Sequence, residues 1–142
     1  MSVSFDEFGP WEDRQERLFE FVDGKPVLLP KSSQLRSLLI SYLLASLKHF
    51  VEGTDLKVLT RPRITLSAIA EVRYPDIVVD AGTFVAAERE PSLPVLVIDV
   101  DRERDWSALL DARYLTIPAT ASPSEVSRFL TKILAVVRSR TR

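Results

Sequence analysis

The sequence predicts a single mixed α/β domain, on three observations. Between Leu18 and Leu29, two short apolar runs flank Asp23-Gly24, a pair that tolerates the positive φ of a tight hairpin turn. Two longer segments carry apolar residues at helical spacing: Leu35, Leu38, Leu39, Tyr42, Leu43, Leu47 and Phe50, and then Val126, Phe129, Leu130, Ile133, Leu134 and Val137. Two runs, Tyr74 to Asp80 and Pro94 to Asp101, read as strongly apolar strands, the second apolar on both faces until Asp99, as a strand covered on both sides of a sheet reads. The order is hairpin, helix, strands, helix, short strand, helix, which describes one layered unit. A chain of 142 residues is about one domain, so residues 1–142 are taken together, with 1–17 as a lead-in and 122–142 as a final helix with a basic tail.

Taken in order, residues 1–17 predict a short exposed helix around Trp11 and the charged run Glu12 to Arg17. Ser32 or Ser33 caps the first long helix, since a serine oxygen can accept from a free N–H of the first turn, and Gly53 ends it. Leu56 to Leu66 alternates as a strand does, but Arg61-Pro62-Arg63 interrupts it and predicts a bend, an edge strand or two short pieces. A polar loop from about Ala81 to Pro94 separates the two apolar strands. Asp105 is a credible N-cap for a helix through Leu115, with Leu115-Thr116-Ile117 as a short last strand. Ser122-Pro123-Ser124-Glu125 opens the final helix, with proline in the first turn, where its missing N–H is not needed.

Composition narrows the function. With 46% hydrophobic and 27% charged residues the chain reads as a folded soluble protein. A net charge of −1 argues against a non-specific nucleic-acid binder, although a local basic patch is compatible with it. The absence of cysteine removes disulfides, zinc-thiolate sites and thiol chemistry, and fits a reducing cytoplasm. With no signal-peptide core and no apolar run of ~18 residues, a cytoplasmic location and no membrane association are expected. The only histidine, His49, stands on the polar side of the long helix and cannot build a His-based metal cluster. The four glycines are isolated, so there is no glycine-rich phosphate loop.

The anomaly is Asp99. An ionised carboxylate on a strand buried on both faces needs a partner, a cation or the open end of the sheet. Around it stand four pieces in order: Phe19-Glu20-Phe21-Val22-Asp23-Gly24-Lys25-Pro26-Val27, a long apolar helix, Arg73-x-Pro75-Asp76, and the strand from Leu96 to Val100. Together, over residues 18 to 118, they resemble the Uma-type restriction endonuclease domain, a branch of the PD-(D/E)xK nuclease-like fold. The resemblance implies a restriction-endonuclease-like core: a central mixed β-sheet flanked by helices, with an N-terminal β-hairpin. It further implies hydrolysis of nucleic-acid phosphodiesters with Mg²⁺ (or Mn²⁺), because a hard cation takes oxygen ligands and neutralises charge developing on a phosphate. Asp76 and Asp99 would be the metal-binding and catalytic pair, with Glu20 as third ligand. Nucleic acid is the implied partner, and a homodimer is compatible with the sequence.

The sequence departs from the pattern in three places. Asp99 replaces the family glutamate, Asp101-Arg102-Glu103-Arg104 replaces an expected Ser-Pro-Ser, and the expected lysine falls on Leu110, a turn before Tyr114. Asp101 would stand at the lysine position of a D-x-K reading, with the wrong sign. Arg113 or Arg73 could supply the missing positive charge, although arginine is a poor proton acceptor. Bland readings stay open: Asp76 stabilising a turn after Pro75, Asp99 and Asp101 capping the next helix, Glu20 facing water, and the basic tail complementing its helix dipole. Two functions therefore compete: a metal-dependent nuclease with a degenerate site, and a nuclease-fold protein that has lost catalysis and serves in binding or assembly. The second is favoured by the missing lysine and the near-neutral charge.

Overall fold

A computed structural model describes residues 2–102 and 110–140. Helix α1 (Phe5–Glu12) leads into the hairpin β1 (Phe19–Val22) and β2 (Lys25–Leu28), and then α2 (Gln34–Val51). The strands β3 (Lys57–Thr60), β4 (Ile64–Leu66), β5 (Glu71–Arg73), β6 (Ile77–Asp80), β7 (Pro94–Val100) and β8 (Arg113–Ile117) follow, and α3 (Pro123–Arg140) ends the described chain. The strands form two four-stranded sheets, in the orders β2-β1-β5-β4 and β3-β6-β7-β8. The first is antiparallel throughout. The second is mixed, because β8 runs parallel to β7.

The turns follow from local chemistry. Asp23 and Gly24 take φ of 52° and 77°, as a two-residue hairpin of the primed type requires. The Ser33 hydroxyl accepts from the N–H of Arg36 and caps α2. Ser122 and Glu125 cap each other's backbone at the start of α3, a reciprocal arrangement that satisfies two free N–H groups.

The predicted break at Arg61-Pro62-Arg63 proves to be a crossing between sheets. β3 belongs to the second sheet and β4 to the first. The return crossing is Tyr74-Pro75-Asp76, between β5 and β6. The two crossings lie side by side, with the Arg61 N–H donating to the Asp76 carbonyl at 3.1 Å. Three apolar clusters glue the layers. Leu43 and Leu47 of α2 and Ile133 of α3 pack with Ile77, Ile98 and Ile117 on one face of the second sheet. Ile64 and Leu66 of β4 meet Val78 and Val97 on its other face. Phe8 of α1 packs with Phe21, Val72 and Tyr74, its ring 5.2 Å from that of Phe21.

Four expectations are corrected here. The N-terminal helix is not an exposed lead-in, since Phe8 is fully buried and Glu12 bonds to Arg63 and Tyr74. In α2 the buried line is Leu39, Leu43, Leu47 and Val51, whereas Leu35, Leu38 and Tyr42 are exposed. A helix cannot run through Leu115, because β8 begins at Arg113; its expected N-cap Asp105 lies outside the described residues. Asp101 does not extend β7. It turns to φ 64°, and its carboxylate accepts from the N–H of Ala119 at 2.7 Å.

Candidate functional site

Asp76 closes the second crossing and Asp99 lies one residue from the end of β7. The strands are antiparallel neighbours with Ile77 opposite Ile98, which sets Asp76 opposite Asp99. Because side chains alternate along a strand, both carboxylates share the face of Val78 and Val97, the face turned toward the first sheet. Both are 2% exposed, as is Glu20 on β1. The sequence-predicted pair therefore meets, on one side of one sheet, and Glu20 faces the interior rather than water.

Each oxygen of this trio has a protein partner. Asp76 Oδ1 is paired with the Arg36 guanidinium from the first turn of α2, with Arg61 Nε 4.0 Å away. Asp76 Oδ2 accepts from the Val100 N–H at 2.7 Å. Asp99 Oδ1 accepts from the Asp76 N–H at 3.2 Å, and Asp99 Oδ2 from the Tyr114 hydroxyl at 2.9 Å. Glu20 Oε2 accepts from the Tyr74 N–H at 2.8 Å and from Arg102 at 2.9 Å. Its other oxygen lies 3.9 Å from Arg73.

Glu20 and Asp99 thus hold successive amides of the Tyr74-Pro75-Asp76 crossing, and Asp76 holds the end of β7. These bonds tie the two sheets together. Burial pushes the Asp99 carboxyl above its ordinary range, and the Asp76 charge adds to the shift. The Tyr114 and Asp76 N–H bonds and Arg102 act against it.

The candidate cations fare differently. Arg73 is buried and bonds to Glu71 at 2.6 Å. Arg113 is exposed at the start of β8, beside Leu96 rather than Asp99, and alternation puts it on the opposite face from Tyr114. It therefore does not stand in for the absent lysine. The next residue of β8, Tyr114, lies on the face that carries Asp99, and its hydroxyl donates to that carboxylate. Sequence reasoning passed over Arg36, Arg61, Arg102 and Tyr114. The sequence held one usable signal for Tyr114: a short strand after β7 can lie parallel to it and deliver a side chain at the same level. Asp101, with its carboxylate at Ala119, is not part of the cluster.

Mg²⁺ demands near-octahedral oxygen ligands at about 2.0–2.1 Å. Among the described residues no three His, Cys, Asp or Glu side chains group in a way that could hold a metal. The oxygens of Asp76 and Glu20 that would turn to a cation turn to guanidinium groups. As arranged, these residues do not fit a divalent ion.

No family model matches the chain, and no curated protein matches it. Among solved structures, it is similar to the crystal structure of a candidate nuclease belonging to DUF820 from Anabaena variabilis ATCC 29413. The two superpose with a TM-score of 0.62 at 17% identity, over 82% of this chain and 74% of that one. The two share a fold. The crossing at Asp76, the end of β7 and the start of α2 converge on one buried polar centre.

Proposed function

We propose that this is a nuclease-fold protein of the Uma type that binds nucleic acid and whose carboxylate centre is held by arginine in place of Mg²⁺, leaving cleavage weak or lost. The observation that carries the reading is the pairing of Arg36 with Asp76. A guanidinium in that place neutralises the carboxylate, yet it cannot polarise a water as a metal does, and it does not deprotonate to act as a base. Asp99 supports the same reading, since each of its carboxyl oxygens already accepts a protein hydrogen bond, one from a backbone N–H and one from Tyr114. The absent lysine removes the remaining cation that would assist attack at phosphorus.

The competing reading is a Mg²⁺-dependent endonuclease using Asp76, Asp99 and Glu20. One observation favours it: two buried carboxylates face each other, and like charges so placed are costly without a cation between them. Incubation of purified protein with plasmid DNA, single-stranded DNA and RNA in Mg²⁺ or Mn²⁺ separates the two. The expected outcome is no cleavage above that of Asp76→Ala and Asp99→Ala preparations. Robust metal-dependent cleavage that disappears in both variants, with their folds intact, would make the protein an enzyme.

A further inference from the structure

A cleft of about 410 Å³ opens beside the buried centre, where the first turn of α2 meets the Arg61 crossing and the end of β2. Its charged lining is Arg17, Lys31, Arg36 and Arg61, with no carboxylate among the lining residues. Elsewhere among the described residues several arginines are matched with carboxylates: Arg63 with Glu12 and Glu90, Arg73 with Glu71, Arg89 with Asp13, Arg102 with Glu20. In the cleft, Arg36 and Arg61 share one carboxylate, Asp76, and no carboxylate lines the wall beside Arg17 and Lys31. Arg17 makes a 3.5 Å bond to the Leu29 carbonyl, Arg61 stands 4.0 Å from Asp76, and Lys31 is exposed. One carboxylate, Asp76, lies behind four cations, with its side chain 1% exposed.

For a chain with net charge −1, this is a strong local excess of positive charge. Ser32 and Ser37 add hydroxyl groups at the same wall, and Arg36 also donates to Ser32 at 3.2 Å. Arginine presents a planar fork that matches phosphate oxygens, and lysine supplies a mobile point charge. Pairing with Asp76 and Ser32 fixes the Arg36 fork in place, so less ordering remains when an anion arrives.

From this geometry we infer that the cleft lined by Arg17, Lys31, Arg36 and Arg61 binds the phosphodiester backbone of a nucleic-acid strand. The inference rests on the nucleic-acid reading above and gives it a location. Asp76 acts there as a positioning residue: it holds Arg36 at the cleft wall and touches no phosphate itself.

The test is fluorescence anisotropy with labelled 12-nucleotide single-stranded DNA and RNA, in EDTA, over a range of salt. Lys31→Ala and Arg61→Ala are compared with wild type, and Lys132→Ala on α3 is the remote cation control. Thermal melts confirm that each variant is folded. Each cleft variant is expected to weaken binding roughly tenfold at low salt and to lower the salt slope by about one, because one phosphate contact is lost. Lys132→Ala is expected to bind as wild type does. Wild-type binding with unchanged affinity and slope in both cleft variants would overturn the inference and leave the nucleic-acid reading standing. If wild type binds neither oligonucleotide but binds pyrophosphate in a manner that depends on Lys31 and Arg61, the backbone assignment and the nucleic-acid reading both fall, and the cleft is a site for small phosphates.

Discussion

Asp99 shows how much one residue's surroundings decide. Its neutral form is favoured by burial and by the Asp76 charge, so the folded pKa lies above the unfolded value. Such a group's contribution to stability is fully present below the unfolded pKa and is lost as pH rises through the folded one. Above the folded pKa the ionised carboxylate therefore works against the fold. Asn at this position keeps an oxygen for the Asp76 N–H. Its amide can donate to Tyr114, whose hydroxyl also lies 3.2 Å from the Arg102 carbonyl. Asp99→Asn is expected to raise stability at pH 7.5 by on the order of 1 kcal/mol. The advantage should shrink as pH falls toward the ordinary carboxyl value of 3.8. Thermal melts from pH 4 to 8 check this, and an advantage that grows on acidification would show that the sign is wrong.

Among the elements, α2 separates what periodicity can and cannot say. Its apolar positions fix a helix, but they are spread over more of the circumference than one sheet face can cover. The packing uses Leu39, Leu43, Leu47 and Val51 and leaves Leu38 at 70% exposure. Leu43→Ala should cost about 2–5 kcal/mol, since it opens a cavity against β6 and β7. Leu38→Lys should stay within about 0.5 kcal/mol of wild type, as exposed substitutions do. Urea denaturation measures both, and equal losses would contradict the assigned face. The hairpin, both long helices and the two carboxylate strands were legible because each rests on local chemistry: a turn pair, a serine cap or an unbroken apolar run. Of the parallel strand β8 only Leu115-Thr116-Ile117 was legible, because Arg113 and Tyr114 read as the end of a helix and gain their place in the strand only by pairing with β7.

Over the whole molecule, the carboxylates of the candidate site could be named from the chain, but their partners could not. Asp76 and Asp99 stood out as charges where a buried strand has no use for them. Arg36 lies 40 positions from Asp76 and Arg102 lies 82 from Glu20, and only the two-sheet crossing brings them together. The same crossing explains why Asp101 left the cluster: β7 ends at Val100, held by Asp76, and the next residue turns away.

The claim that arginine occupies the place of a divalent cation is tested most directly by the melting temperature in Mn²⁺ against EDTA, for wild type and Asp99→Asn. A site of Kd about 50 µM would gain about 2.7 kcal/mol at about 5 mM ion, a rise of roughly 5–10 °C for a domain of this size. The account predicts that neither protein shifts by more than about 1 °C. A rise of several degrees in wild type that is lost in Asp99→Asn would contradict it, and would place a metal between Asp76 and Asp99.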